Sequence, residues 1–182
     1  RIEERLKRVV DKVDDTLRKS EKHLEDVVRD ADRDIDRNRR ENEKVVKEAE
    51  DILRRLVEEA GRELDDLRRV KKEVDKLLKE NEEKLKKVRE DIERILRDLK
   101  RKHEAVRERL RKLLTDVARE KIPEDKVREL EEEAERLLDE LRRKNEEAVR
   151  RIKKLLDDLN KHSEETIRRI KKLLKELEDK TR

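Results

Sequence analysis

Cysteine, methionine and every aromatic residue are missing from this chain. No disulfide framework can form, so cysteine usage carries no information about redox compartment. There is no thiol nucleophile, and there are no rings on which the bases of a single-stranded nucleic acid could stack. Glycine and proline occur once each, as Gly61 and Pro123. This excludes a glycine-rich phosphate loop and leaves few places for the chain to turn. No apolar run approaches the ~20 residues of a membrane span, and no signal-peptide core opens the chain. The first residue is Arg1 rather than Met, so a processed or trimmed chain is expected, soluble and suited to expression in the cytoplasm.

What the chain has is charge. Asp, Glu, Lys and Arg make up 60% of its 182 residues, and only 31% are hydrophobic. That balance alone would suit a disordered chain, but two features oppose disorder. The 57 basic and 53 acidic residues nearly cancel, leaving a net charge of +4. The apolar residues also recur with strict periodicity, against a background of the residues that dominate long helices. Acids and bases are interspersed, with no basic stripe for phosphates, so no nucleic-acid partner is expected.

The period is 18 residues. Val9–Val10, Val27–Val28 and Val45–Val46 are spaced by 18, as are Leu17, Ile35 and Leu53. The pattern returns in Leu77–Leu78, Ile95–Leu96 and Leu113–Leu114, and again in Leu137–Leu138, Leu155–Leu156 and Leu173–Leu174. Eighteen residues make five turns at 3.6 residues per turn, the period of an unstrained helix. A heptad repeat would drift by about 20° per heptad and wind a supercoil. Over three such units the difference accumulates to roughly 150°, so the repeat specifies long, straight helices packed side by side.

Polar residues interrupt the stripe. Asn42 falls in the series Leu6, Leu24, Asn42, Ala60, and Asn38 in the series Ile2, Ser20, Asn38, Leu56. Asn81 heads Asn81, Leu99, Val117, and His103 ends Leu67, Leu85, His103. Asn145 and Ser163 follow Val127 at the same spacing. Asparagine is a mediocre helix former, and burying its amide without partners costs a few kcal/mol.

The place of the turns explains them. Pro123 suits the first helical position, and Glu124 and Asp125 behind it favour the positive end of a helix dipole. Gly61 is a natural residue just past a helix end, with Asp65 and Asp66 reading as N-cap and first-turn acids. The apolar phase nearly continues through Gly61, so one helix of about 120 residues is the competing reading, at a cost of ~1 kcal/mol for the glycine. A reversal at Gly61 makes residues whose numbers sum to 123 face each other. Asn42 then meets Asn81, and Ser20 meets His103. These matches lie 22 positions apart, which is not a multiple of 18, so the repeat alone does not produce both. A second reversal near Pro123 brings together residues summing to 244, so that Asn81 meets Ser163 and Leu99 meets Asn145.

The expected fold is therefore all-α: a single-chain antiparallel three-helix bundle, one rod-like domain over 1–182, with helices at about 2–60, 64–120 and 123–180. Asn42, Asn81 and Ser163 form one polar level, with Asn38, Asn160, His162 and Thr166 within a turn. Ser20, His103 and Asn145 form a second, with His23 at its edge. Asn carries donors and acceptors on one side chain, and Ser and neutral His supply both as well. A slipped register leaves such groups unpaired, so polar levels select one register.

These features resemble a de novo designed, parametrically generated antiparallel three-helix bundle, and the resemblance covers the whole chain. It implies a very stable monomer without cofactors, partners or biological activity. Ile122, in front of Pro123, departs from idealised capping rules.

Chemistry finds little support. His23 and His103 share one level, but His162 lies near that of residue 42, roughly 28 Å further along at 1.5 Å per residue. No three-histidine metal site can form, and no metal or haem is expected. Acidic pairs such as Asp14–Asp15 and Asp157–Asp158 stand beside bases and read as solvated faces with i,i+4 ion pairs. No catalytic residues are expected. The runner-up function is an interaction or assembly module, either long helices pairing with a second chain or a rigid spacer. It would need a second apolar stripe, and each helix has one.

Two solution measurements separate these readings. Light scattering on a size-exclusion column is expected to give the 22.3 kDa of one chain. Helices of about 58 residues give a maximum scattering dimension of about 90 Å. A dimension twice as long, or a dimer mass, would favour the continuous helix through Gly61.

Overall fold

The computed structural model describes residues 2–60, 65–119 and 123–181. They form three helices: α1 (Ile2–Ala60), α2 (Asp65–Arg119) and α3 (Glu124–Thr181). Gly61 and Ile122 lie outside the described residues. The competing helix of about 120 residues is not formed, because Asn42 of α1 bonds to Asn81 of α2 across an antiparallel pair. The chain is an antiparallel three-helix bundle.

Packing groups the chain into two compact units: Arg1–Arg29 with Ile92–Ile152, and Asp30–Asp91 with Lys153–Arg182. Each draws a segment from every helix. In the first unit, Arg5, Lys12 and Ser20 of α1 pair in ascending order with Glu131, Glu135 and Asn145 of α3, so those helices run parallel. Meanwhile His103 and Arg109 of α2 meet Asn145 and Glu133 in descending order, so α2 runs against them. In the second unit, Asn38 and Arg55 of α1 meet Asn160 and Glu178 of α3 in the same ascending order.

Each unit has its own apolar cluster. That of the first is built on Val13, Leu17, Leu110, Ala134, Leu138 and Leu141. Val13, Leu110 and Ala134 are related by the same two mirror sums as the polar residues. A small alanine thus shares a level with a large leucine, which lets neighbouring side chains interdigitate. The second unit uses Ala49, Val74 and Ile170 in the same way.

Interhelical ion pairs border the first core. The Arg5 guanidinium is bidentate to Glu131, at 3.0 and 3.2 Å, and Glu21 lies 2.6 Å from Arg107. Partly exposed pairs of this kind contribute at most about 1 kcal/mol each. The apolar stripe therefore supplies most of the stabilisation, and the charges bias which faces meet.

The helix starts refine the expected turns. Helix α3 begins at Glu124, and the Pro123 carbonyl accepts from Lys126 N (3.1 Å) and Val127 N (3.4 Å). A residue whose carbonyl takes the first helical bond is the N-cap. Pro123 thus stands one place before the expected N1 position. Its missing N–H is harmless there, since the first amides of a helix have no intrahelical acceptor. Asp65 and Asp66 are both first-turn residues of α2, so Asp65 is not the N-cap.

Leu17 in the first unit and Ile170 in the second are 0% exposed, whereas Val57 is 37% exposed. Leu17→Ala and Ile170→Ala are expected to destabilise the chain by about 2–5 kcal/mol each. Val57→Ala should fall within about 0.5 kcal/mol of the parent. Urea denaturation of the three variants checks the contrast.

Candidate functional site: the buried polar layers

In the first unit each helix sends one polar side chain inward. Ser20 comes from α1, His103 from α2 and Asn145 from α3. Ser20 Oγ lies 3.2 Å from His103 Nε2. Asn145 Nδ2 donates to Ser20 Oγ and lies 3.4 Å from His103 Nε2. His103 is 2% exposed, and Asn145 is buried with it. The shorter contacts define a direction. Asn145 N–H donates to the Ser20 oxygen; facing that amide, Nε2 presents its lone pair, to which the Ser20 hydroxyl can donate. This requires a neutral imidazole with its proton on Nδ1. Asn145 Oδ1 is buried and has no hydrogen-bond partner. His23 is exposed and lines a groove beside Ser20 and Asn145.

In the second unit Asn81 is the hub, with 0% exposure. Its Nδ2 donates to Asn42 Oδ1 at 2.8 Å. Its Oδ1 accepts from Ser163 Oγ at 3.2 Å and meets His162 Nδ1 at 3.1 Å. A carbonyl oxygen only accepts, so His162 also carries its proton on Nδ1. Asn42 Nδ2 is buried without a partner. Separately, Asn38 Nδ2 donates to Asn160 Oδ1 at 2.7 Å and to the Asp34 carbonyl at 3.0 Å. Thr166 is also buried in this unit.

The structure therefore brings Asn42, Asn81 and Ser163 together, but through Asn81 rather than as a mutual triangle. Asn38 belongs to a neighbouring pair. His162 and Asn160 carry hydrogen bonds, although their sequence positions put them only within a turn of the level. Residues 162 and 163 are adjacent on the helix and both border the stripe, so either can turn inward.

Burial, the largest cause, holds the pKa of His103 below the ordinary 6.5; Glu21 pulls it up and Arg107 pushes it down. Burial likewise lowers His162, reinforced by Lys84 and opposed by Glu165 and Glu80.

Among the described residues no group of three Asp, Glu or His side chains could hold a metal ion, and no helix is long and apolar enough to cross a membrane. Within each layer the side chains satisfy and orient one another's polar groups. No protein-family model, curated protein or solved structure matches the chain.

The lowered histidine values set a pH dependence. A group with a lower pKa when folded binds fewer protons in the native state. Stability should therefore be full above the unfolded value of 6.5 and fall as pH drops towards the folded values. Urea midpoints measured across that window should decline on acidification. The decline should be smaller in His103→Gln, which keeps a polar group but has no proton to gain.

Proposed function

We propose that this chain is a de novo designed structural scaffold without enzymatic activity, whose buried polar layers hold three helices in one register. One observation carries the reading: each layer takes a hydrogen-bonding side chain from every helix. Ser20, His103 and Asn145 do so in the first unit. Asn42, Asn81 and Ser163, joined by His162, do so in the second. Moving any helix by one turn would separate these groups by about 5.4 Å, beyond hydrogen-bond reach. The 18-residue repeat and the minimal set of residue types support a designed origin.

The hub makes the test sharp. Asn42→Leu removes the unpartnered Asn42 Nδ2 but deprives Asn81 Nδ2 of its acceptor, so one orphan replaces another. Asn81→Leu instead strips partners from Asn42, Ser163 and His162 together. An unsatisfied buried polar group costs roughly 1–3 kcal/mol. Asn81→Leu should therefore be clearly more destabilising than Asn42→Leu. Replacing Asn42, Asn81 and Ser163 together with apolar residues of similar size leaves only the half-buried His162, within reach of water, to find a new partner, and should restore or exceed parental stability. It should also broaden the population of registers or oligomers, seen by light scattering. An Asn81→Leu variant as stable as the parent would overturn the reading.

A further inference from the structure

We propose that the Ser20–His103–Asn145 layer is a proton-operated switch, in which a proton bound at His103 Nε2 reverses the hydrogen bonds and the Asn145 amide turns over to receive it. The unused atom of the amide carries the argument. Asn145 Nδ2 faces both Ser20 Oγ and His103 Nε2, while Oδ1 of the same amide is buried and meets no donor. In the neutral layer hydrogen bonds run from Asn145 through the Ser20 hydroxyl to the imidazole lone pair.

A proton from solvent on Nε2 removes that lone pair. Nε2–H then points at an Asn145 N–H, donor against donor, while the Ser20 hydroxyl has to turn its own proton away from the ring. A half-turn of the amide exchanges Nδ2 and Oδ1 within nearly the same volume. Oδ1 now accepts from His103 Nε2–H and from the Ser20 hydroxyl, which rotates to meet it. One end of the amide lacks a partner before the turn and the other end after it. The proton therefore adds no new orphan. The only bond formed is the new N–H, and every side chain keeps its own hydrogens.

The surroundings bear on the same proton. From α1, Glu21 favours the cation, and Arg107 on α2, paired to it at 2.6 Å, opposes it. On the groove side, Lys19 and His23 of α1 face Arg142 and Glu146 of α3 beside Ser20 and Asn145. That groove gives the proton a polar route to the layer. The second unit offers a contrast within the same chain. His162 already donates through Nδ1 to Asn81 Oδ1, so protonating its Nε2 leaves that bond as it is and reverses nothing.

The test is a nitrogen-15 NMR titration of the full chain from mildly alkaline to mildly acidic pH, with circular dichroism on the same samples. Neutral His103 should show the Nδ1–H tautomer in its ring nitrogen shifts. Contacts between the Asn145 side-chain amide protons and the His103 ring should be strong in the neutral form. They should weaken with the midpoint of the ring itself, while helical signal stays constant. An Nε2–H tautomer in the neutral form would overturn the switch. So would Asn145 contacts unchanged through the His103 titration, or helix loss at that midpoint.

Discussion

An amide buried among leucines must be met by a partner from another helix, and Asn81, bonded to Asn42, is the most deeply buried amide among the described residues. Apolar contacts are forgiving: a leucine stripe packs nearly as well after a one-turn slide. An amide does not tolerate the slide, because its donors and acceptors are fixed in direction and their loss in a dry interior is not made good by water. In the proposed scaffold role, the hub residue is what would hold an otherwise sticky bundle to one alignment. Ser163 and His162 extend that demand to α3, so all three helices of the second unit answer to one side chain. Ser20, His103 and Asn145 impose the same condition in the first unit with a different set of groups.

Around these layers the division of labour is plain. The apolar clusters of each unit remove hydrocarbon from water and supply the driving force. The charged residues, 60% of the chain, contribute little net attraction per exposed pair. Arg5–Glu131 and Arg55–Glu178 tie α1 to α3 in their respective units, and Glu21–Arg107 ties α1 to α2. Each pair agrees with the register that the buried layers demand, and such agreement between levels gives a folding landscape its gap.

The sequence made the helices legible because its apolar spacing admits one period. It made the first turn legible because Asn42–Asn81 and Ser20–His103 share a mirror sum that the repeat cannot generate. Those are properties of position, and position is what a sequence records. The hub role of Asn81, the entry of His162 and the place of Pro123 as N-cap were not legible. They depend on rotamers, on which end of an amide faces which neighbour, and on where the first helical carbonyl bond forms. A helix turns about 100° per residue, so periodicity assigns a face but not which of two bordering side chains turns inward. The unpartnered Asn42 Nδ2 and Asn145 Oδ1 are invisible at that level for the same reason.

The two layers also differ in the lengths of chain that their bonds enclose. In the second unit Asn42 and Asn81 are 39 residues apart, while Asn81 and Ser163 are separated by 82. In the first, His103 and Asn145 are 42 apart, but Ser20 and Asn145 are separated by 125. The entropy of closing a loop rises by about 0.6 kcal/mol for each doubling of its length. Each unit thus contains one helix pair bonded across a short loop and a third helix bonded across a longer one, α3 in the second unit and α1 in the first. The short loop is the α1–α2 hairpin in the second unit and the α2–α3 hairpin in the first, so the larger entropic cost of closure falls on a different helix in each.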